Sequence, residues 1–450
     1  MKFLIFSLFI FSLFSCLNTA QAKISCIECK ATFAAIIPLL GKNSTAQNLL
    51  NTLESECEKL PSSTEKYCDE LAQWVVSELP EVEKEFERYE PIGLCSILGI
   101  CKVDCCQSKK HVEQVKLAFA SDDSFSVSWI AAEKVPLSQT QVQYQLVAGG
   151  AVQTTSASSV RTYTQGGWEG YIYVAEMSSL KVGRARYQYR ITNDKNDNSM
   201  WSNYFTFATG PANPSQSTNT IGFIADMGTI NSADTIANLK RLTADHTLDF
   251  IIHAGDISYA DAYQHTWDVF CRSIEPITAS VAYMTCPGNH EIPWRFVSYR
   301  NRFGSIMPYT LSNSTDPLYY SFNYGPVHYI SADTELLVDE GWIGDTQKAW
   351  LEADLASVDR SVTPWIVFFA HRPTYCAMGG IDCGADMLLI RSRLEPMFHR
   401  YGVDLSLTGH KHSYERTLPV YQDKPTQTNY VNPKATTYVV AGTAGNNEGI

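Results

Sequence analysis

FIIHAGDISY, residues 250–259, is the stretch that decides the fold of the second half of this 450-residue chain. It is an apolar run that ends in a glycine turn carrying a carboxylate and a phenol. A short apolar run bounded by turn residues predicts a buried strand. Polar side chains directly after such a strand predict a ligand site, because ligands in α/β folds bind at the carboxyl ends of strands.

The same arrangement recurs throughout residues 218–450. Apolar runs that predict strands occupy residues 221–225, 250–253, 281–285, 328–332, 365–370 and 403–407. Stretches with helical periodicity separate them, for example at residues 232–242 and 345–356. Strands that alternate with helices predict an α/β domain.

A polar cluster follows directly on five of these runs. The clusters are Asp226, Asp256 with Tyr259, Asn289 with His290, His371, and His410 with His412. We expect parallel strands to bring them to one edge of the sheet. Carboxylate, phenol, amide and imidazole groups suit two neighbouring cations that share a bridging carboxylate.

Each motif is weak when taken alone. Asp226 in ADMG has the ordinary alternative of a turn or cap residue, and a lone His371 is more often a core or surface histidine. The joint occurrence of all five clusters in order favours a metal centre.

The five motifs resemble the metal-binding blocks of purple acid phosphatases. They are ADMG at 225–228, GDISYA at 255–260, PGNHE at 287–291, HRPTY at 371–375 and GHKHSYER at 409–416. The resemblance implies a metallophosphoesterase domain at residues 218–450, folded as a four-layer β-sandwich flanked by helices. Cys286 and Pro287 before the third block resemble animal-type long-chain members.

The resemblance also implies a set of metal ligands. It assigns Asp226, Tyr259 and His412 to a ferric ion. It assigns Asn289, His371 and His410 to a divalent ion, Zn, Mn or Fe, and Asp256 as the bridge. A phenolate is a hard anionic donor suited to Fe(III), so Tyr259 is the residue that separates this family from metallophosphoesterases without ferric iron.

The implied enzyme is an acid phosphatase, a phosphoric monoester hydrolase. Attack by a metal-bound hydroxide at the Fe(III)–M(II) centre is the expected chemistry. His290 is expected to act beside Asp256 by orienting the phosphate and protonating the leaving group; its alternative is a purely structural histidine. Plant-type members carry further histidines where Gly380 and Ile381 stand here, which leaves a second acid unassigned.

Two other functions stay open at this stage. A phospholipid phosphodiesterase of the acid sphingomyelinase kind also joins a saposin-like module to a metallophosphoesterase. A lipid-binding saposin-like protein would use the first part of the chain instead. Tyr259 and the β-region before the catalytic domain favour the phosphatase.

The chain begins with features of an exported protein. Residues 1–22 predict a signal peptide that ends in AQA at 20–22. All cysteines except Cys16 follow it, which fits an oxidising compartment. Sequons at Asn43 and Asn313 predict a glycoprotein. We therefore predict a protein that is secreted or held in a lysosomal or phagosomal lumen, without a membrane anchor.

Residues 23–106 resemble a saposin-like domain through six of their cysteines. Six cysteines allow many pairings, so spacing alone leaves the connectivity open. The resemblance implies a small all-α domain with the bonds Cys26–Cys101, Cys29–Cys95 and Cys57–Cys68. Contact with lipid or a membrane surface and a role as spacer or intramolecular chaperone both stay open for these residues.

Residues 110–210 alternate between apolar and polar positions, as at 112–117 and 125–129. About seven such short strands predict a β-sandwich. Trp129 and Tyr187 resemble the buried tryptophan and corner tyrosine of fibronectin type III-like modules, the type of N-terminal domain found in purple acid phosphatases. A Pro- and Ser-rich linker at 210–217 predicts a boundary before the catalytic domain.

The remaining expectations concern partners and ends. The net charge of −12 disfavours nucleic acid and leaves small phosphomonoesters as the expected substrates, with the oligomeric state open. The strand and Gly-rich turn at 438–445 predict a C-terminally incomplete chain, because members of the family normally continue with further strands. The pairings of Cys105, Cys106, Cys271, Cys286, Cys376 and Cys383 are undetermined, although a loop disulfide between Cys376 and Cys383 fits their spacing.

Overall fold

The computed structural model describes residues 26–27, 29–30, 91–97, 99–108, 111–213, 217–336, 345–378 and 382–449. Its helices there are α1 Pro91–Ile97, α2 Ala233–Ala244, α3 Gln264–Thr278, α4 Pro293–Arg302, α5 Asp345–Ser357 and α6 Met387–Tyr401. The chain forms two compact units. One comprises residues 1–104, 164–169 and 262–265, and the other comprises the remainder.

The strands are numbered in chain order. The first ten are β1 Val103–Asp104, β2 Glu113–Ser121, β3 Ser124–Ala131, β4 Gln141–Leu146, β5 Gln153–Thr155, β6 Ser159–Arg161, β7 Trp168–Glu169, β8 Tyr171–Met177, β9 Arg186–Thr192 and β10 Phe205–Ala208. The others are β11 Ile221–Ile224, β12 Phe250–Ala254, β13 Ala282–Cys286, β14 Tyr320–Tyr324, β15 Val327–Ser331, β16 Trp365–Phe369, β17 Leu405–Thr408, β18 Tyr414–Arg416, β19 Val420–Tyr421, β20 Lys424–Pro425 and β21 Thr437–Ala441.

The first unit contains α1 and the parallel pair β1–β7. Its disulfides join Cys26 to Cys101 and Cys29 to Cys95, which confirms two of the three pairings that the saposin resemblance implied. The Cys57–Cys68 pairing and most of the predicted saposin-like helices lie outside the described residues.

The structure also shows the pairing of the other cysteines, which the sequence left undetermined. Cys105 is bonded to its neighbour Cys106, and Cys376 is bonded to Cys383. Cys271 and Cys286 are free thiols and both are buried. Burial in apolar surroundings raises the pKa of the Cys286 thiol well above its usual value, so this thiol stays protonated and unreactive at neutral pH.

Residues 112–208 form the predicted β-sandwich. One sheet has the order β10-β9-β4-β5, and β2, β3, β8 and β6 lie side by side in a second sheet. Trp129 is fully buried, stacks on Tyr173 and donates its indole N–H to Asn193 at 2.9 Å. Tyr187 accepts the backbone N–H of Lys181 at 2.9 Å. The buried tryptophan and corner tyrosine therefore occupy the positions expected for them.

The sheet that contains β2 does not end at the sandwich. β2 pairs in parallel with β13 through Leu117 and Ala282, so the order continues as β13-β12-β11. Strands on both sides of the predicted linker thus belong to one seven-stranded sheet.

The second half of the chain contributes another sheet, with the order β14-β15-β16-β17-β21-β18. The strands from β15 to β21 in this order are parallel, and the edge strands β14 and β18 run antiparallel to them. Phe250 on β12 meets Tyr329 on β15 with ring centroids 5.2 Å apart. These two sheets therefore pack face to face.

Helices cover the outer faces of both sheets. Successive strand residues point to opposite faces, so Ile251 joins a core cluster with Phe270 of α3 while Phe250 faces the other sheet. On the far side Phe368 of β16 packs on Phe398 of α6, with ring centroids 4.7 Å apart. The result is the predicted helix–sheet–sheet–helix arrangement. Within the described residues, no helix has the length and apolar character needed to cross a membrane.

Candidate metal centre

All of the predicted ligands stand on loops directly after strands. Asp226 follows β11, Asp256 and Tyr259 follow β12, and Asn289 follows β13 in the first sheet; His371 follows β16, and His410 and His412 follow β17 in the second. The prediction that all of these ligands lie at one edge of a single sheet is therefore wrong. The strands belong to two sheets, and packing of the sheets brings their carboxyl ends together.

Hydrogen bonds between side chains and backbone groups connect the loops of the two sheets. The imidazole Nδ1–H of His371 donates to the carbonyl of Ala254 at 3.0 Å, from the second sheet to the first. His410 donates its backbone N–H to the Asp226 carboxylate at 2.8 Å, again between sheets. The site is thus fixed by backbone as well as by side chains.

Five residues of these loops have backbone conformations that side chains other than glycine rarely adopt. Their φ angles are positive, between 48° and 67°; they are Asp226, Asp256, Tyr259, Asp261 and His410. Each such residue costs of order 1 kcal/mol or more, and such strain clusters at functional sites. The surrounding hydrogen bonds hold the chain in these turns and aim the side chains inward.

Two glycines let the loops approach this closely. A Cβ on Gly288 would collide with the Asp256 carboxylate, and one on Gly409 would collide with the Asp226 carboxylate. The absence of a side chain at both positions is therefore required by the position of the two carboxylates.

One group of donors surrounds His371. Its Nε2 lies 3.1 Å from Asp256 Oδ2, 3.0 Å from Asn289 Oδ1 and 3.2 Å from His410 Nδ1. The donor atoms of Asp256, His371 and His410 all lie within 4.8 Å of one another. His371 and Asp256 are almost fully buried.

A second group surrounds the phenol of Tyr259. Its hydroxyl oxygen lies 3.2 Å from Asp226 Oδ1 and 3.1 Å from His412 Nε2. Asp226 Oδ1 and His412 Nε2 are 3.5 Å apart. The structure thus brings the seven predicted side chains into two groups of donors.

The ring hydrogen bonds of His371 and His412 show which nitrogen of each ring can bind a cation. His371 donates Nδ1–H to the Ala254 carbonyl, and His412 donates Nδ1–H to the Gly449 carbonyl at 2.7 Å. The Nε2 atoms of the neutral rings therefore carry lone pairs, and these face carboxylate and amide oxygens. Lone pairs that converge in a buried site fit bound cations, which would hold them together.

When no cations are bound, protons must help to hold these converging donor groups together. Burial alone would lower the pKa of His371, but the Asp256 carboxylate outweighs it and raises the pKa to about 10. Burial would raise the pKa of Asp256, yet His371 and His290 bring it below its usual value. We therefore expect metal binding to release a proton from this group.

His290 lies beside the donors rather than among them. Its backbone N–H donates to Asp256 Oδ1 at 3.0 Å, and its Nδ1 lies 2.6 Å from Asp261 Oδ1. Its Nε2 is 3.8 Å from Asp256 and 3.6 Å from Glu448. Burial opposes protonation, but the Asp261 and Asp256 carboxylates raise the pKa of His290 well above its usual value.

Sequence reasoning missed four residues that support the site. Asp261 orients His290, and Glu448 lies beside the same ring. Glu291 joins two loops, since its carboxylate accepts the backbone N–H of Ile257 at 3.1 Å and that of Gly288 at 2.9 Å. Arg372 Nη1 lies 3.2 Å from His410 Nε2.

Only some of these supporting residues have a feature in the sequence that could indicate their role. Glu291 and Arg372 stand inside the quoted motifs, next to predicted ligands, and Asp261 comes two residues after Tyr259. Glu448 is separated from His290 by 157 intervening positions of sequence, so only the tertiary structure reveals it.

Comparison with known proteins agrees with this geometry. Residues 220–414 match the calcineurin-like phosphoesterase family, and residues 112–209 match the purple acid phosphatase N-terminal domain. The packed parallel sheets and their two groups of donors thus define a metallophosphoesterase with a binuclear centre. More narrowly, the chain belongs to the purple acid phosphatase family.

Individual relatives show how far the similarity extends. Acid phosphatase type 7 of Mus musculus is 31% identical over an alignment of 368 residues that covers 76% of this chain and 80% of the mouse protein. Purple acid phosphatase 15 of Arabidopsis thaliana is 32% identical over 75% of this chain and 68% of its own length. The structure of purple acid phosphatase PPD1 from yellow lupin seeds superposes with a TM-score of 0.66 at 27% identity, over 75% of this chain and 65% of the lupin chain.

Proposed function

We propose that this chain hydrolyses small phosphate monoesters at acidic pH, at a centre that holds Fe(III) and a divalent Zn, Mn or Fe ion. Family membership supports the acid phosphatase activity and the binuclear centre. The proposed ferric ligands are Asp226, Tyr259 and His412; the proposed divalent ligands are Asn289, His371 and His410; Asp256 is the proposed bridge.

The observation that carries the ferric assignment is the position of the Tyr259 phenol. Its oxygen lies within 3.2 Å of both a carboxylate and an imidazole nitrogen, and hard anionic oxygen donors favour Fe(III) over softer divalent ions. The Asn289 amide and two imidazoles lie around the other position, which suits a divalent ion. An ordinary packing tyrosine would not place its hydroxyl among such groups.

The two cations, when bound, attract the phosphate dianion and lower the pKa of water in the site. His290 supplies the proton for the leaving alkoxide from Nε2, because Nδ1 is held by Asp261. Its Nε2 also lies on the side of Asp256, where it can orient a phosphate oxygen. Asp261 keeps the ring turned in this direction and favours its protonated form.

The alternative functions have less support. The sandwich at residues 112–209 matches the purple acid phosphatase N-terminal domain, which disfavours a phosphodiesterase of the acid sphingomyelinase kind. Export from the cytosol remains part of the proposal and is supported by the disulfides in both units. Lipid contact through residues 23–106 is a separate hypothesis that requires a lipid-binding measurement.

The Tyr259→Phe variant tests the ferric assignment. We expect the purified wild-type protein to contain about one iron and one further metal ion per chain and to absorb visible light through a tyrosinate-to-iron transition. The variant should lose this absorption band and part of its iron, because the phenolate donor is gone. Metal analysis and a visible spectrum measure both effects.

A tyrosine outside the site provides the control. Tyr171→Phe changes a half-buried sandwich residue and should leave both the spectrum and the iron content unchanged. An iron-free wild-type protein, or a band that persists in Tyr259→Phe, would overturn the ferric assignment. Hydrolysis of a monoester by an iron-free protein would leave the phosphatase assignment in place with a different metal pair.

The Asp261→Asn variant tests how His290 is positioned. Loss of the carboxylate should lower kcat by roughly 10–100-fold, by analogy with metal-bound histidines that lose an orienting carboxylate. Loss of the charge should also lower the pKa of His290. Because His290 acts in its protonated form, the basic limb of the pH–rate profile should move to lower pH.

Asp122→Asn, which removes an exposed carboxylate on the sandwich, is the matched control. It should retain the wild-type profile. A lower kcat in Asp261→Asn with an unchanged pH profile would show that Asp261 only shapes its loop, and that its charge does not govern the protonation of His290.

A further inference from the structure

A large groove lies far from the candidate metal centre. It has a volume of about 870 Å³ and is lined by residues of β2, the β14–β15 hairpin, α5 and the loop before β14. His328, near the start of β15, lines it, whereas the proposed ligands follow the ends of parallel neighbouring strands. The length of a five-residue strand, roughly 15 Å, therefore separates the groove from the phosphatase site.

One side of the groove is polar. The ring of His328 makes two contacts, 2.7 Å from Asn323 Oδ1 and 2.9 Å from Asp354 Oδ2. Ser321 donates its hydroxyl to the other oxygen of Asp354 at 2.5 Å. These groups are thus fixed by one another; the side chains of Ser321 and His328 are buried, whereas Asn323 is exposed and lines the groove.

The other side is apolar and open to solvent. Leu311 is 65% exposed and Val362 is 53% exposed, and both line the groove together with Phe322 and Tyr324. The volume of the groove lies in the range of pockets that hold small ligands. The exposed Asn323 amide opposite apolar and aromatic side chains suits a carbohydrate, whose rings have polar edges and apolar faces.

Asn313, which also lines the groove, is the first residue of the sequon Asn313-Ser314-Thr315. Ser314 is buried, and its hydroxyl donates to the carbonyl of Asp316 and accepts that residue's N–H. Asn313 and Thr315 on either side are exposed. Asn313 has a φ of 57°, a turn conformation that asparagine tolerates well.

Two hydrogen bonds hold this turn in place. The indole N–H of Trp350 donates to the carbonyl of Ser312 at 2.7 Å, and Ser314 donates its backbone N–H to Tyr309 at 2.9 Å. The turn therefore leaves Asn313 and Thr315 at the surface and fixes the direction of any group attached to Asn313.

We infer that Asn313 carries an N-linked glycan whose first sugars occupy this groove. In the modification step, the Asn313 amide nitrogen bonds to the anomeric carbon of a lipid-diphosphate-linked oligosaccharide. The bond from that carbon to the diphosphate breaks, the lipid diphosphate leaves, and the amide loses one proton. The attached sugars then cover Leu311 and Val362 and contact the Asp354 side of the groove.

Matched substitutions in the sequon test the modification. The proteins are secreted from a glycosylating eukaryotic cell line in an Asn43→Gln background, so that Asn313 is the remaining sequon. Enzymatic release of glycans in ¹⁸O water, followed by peptide mass analysis, should convert Asn313 to labelled aspartate in the parent and in Thr315→Ser. Thr315→Ala should show no conversion. An unmodified parent protein would overturn the inference.

Coupling between the glycan and the groove tests the position of the sugars. Enzymatic deglycosylation should lower the Tm of the parent by about 2 °C or more. In Leu311→Ser and Val362→Ser this loss should be clearly smaller, because part of the surface that the sugars cover is gone. The control is Val431→Ser, which changes a side chain that is 73% exposed outside the groove and should retain the full loss.

Each result of this experiment decides whether the sugars lie in the groove. An equal Tm loss in all four proteins, or a loss reduced equally in Val431→Ser, would show that the glycan does not lie in the groove. The kcat/KM of each glycosylated protein should equal that of the parent, since these substitutions leave the metal centre intact, which separates a failure of this inference from a failure of the proposed function.

Discussion

The Asp256→Asn variant is expected to lose its activity almost completely. We expect kcat/KM for a phosphate monoester to fall by about 10³-fold or more, at least the loss that follows removal of one strong electrostatic stabiliser from an active site. The substitution keeps the shape of the side chain but removes the charge that lies 3.1 Å from His371 Nε2 and accepts the N–H of His290.

Metal content distinguishes this effect from simple unfolding. A proposed bridging carboxylate affects both ions, so Asp256→Asn should lose the divalent ion fully and part of the iron while its circular dichroism spectrum stays native. The Asp123→Asn variant changes an exposed carboxylate in the sandwich and should keep both metals and full activity. An Asp256→Asn protein with two tightly bound metals and wild-type kcat would contradict the proposed bridge.

The second large effect concerns stability and a buried ion pair. Arg302 Nη1 donates to Asp268 Oδ1 at 2.8 Å, and both side chains are completely buried. Arg302 also donates Nε–H to the Tyr163 hydroxyl at 2.5 Å. Arg302→Met leaves the Asp268 carboxylate buried without its cation, which should reduce the free energy of unfolding by about 3–5 kcal/mol.

Urea unfolding of two further variants checks this explanation. The double variant Arg302→Met/Asp268→Leu should recover much of the loss, because no uncompensated charge remains. The exposed pair between Arg400 and Glu352 is the control, and Arg400→Met should change stability by less than about 1 kcal/mol. A single Arg302→Met variant as stable as Arg400→Met would show that Asp268 takes up a proton or finds another partner at little cost.

Strong local patterns made much of the fold predictable. The apolar run at residues 250–253 became β12 (Phe250–Ala254), and the periodic stretch at 345–356 became α5 (Asp345–Ser357). The sequence patterns do not predict α3 or α6. Each contains a proline, Pro276 or Pro396, which usually marks the end of a helix in a sequence, and packing on the outer faces of the sheets overrides that signal here.

The candidate ligands were predictable because each stands in a short motif after an apolar strand. Asp226 and His412 belong to different motifs, yet each motif contains enough local information to indicate a ligand. The supports of the site were less visible. Asp261 and Glu448 acquire their role only through contact with His290, and contacts between distant parts of a chain leave no local pattern.

By itself the sequence determined the strands, the order of the motifs and the chemical types of the donors, because hydrophobic period, glycine turns and ligand chemistry are local properties. Only the tertiary structure decided that the donors come from two sheets rather than one edge, and that the sandwich shares a sheet with the catalytic half. The physical reason is that sheet packing and the single β2–β13 pairing depend on long-range burial of apolar faces, and many chain arrangements satisfy the same local pattern.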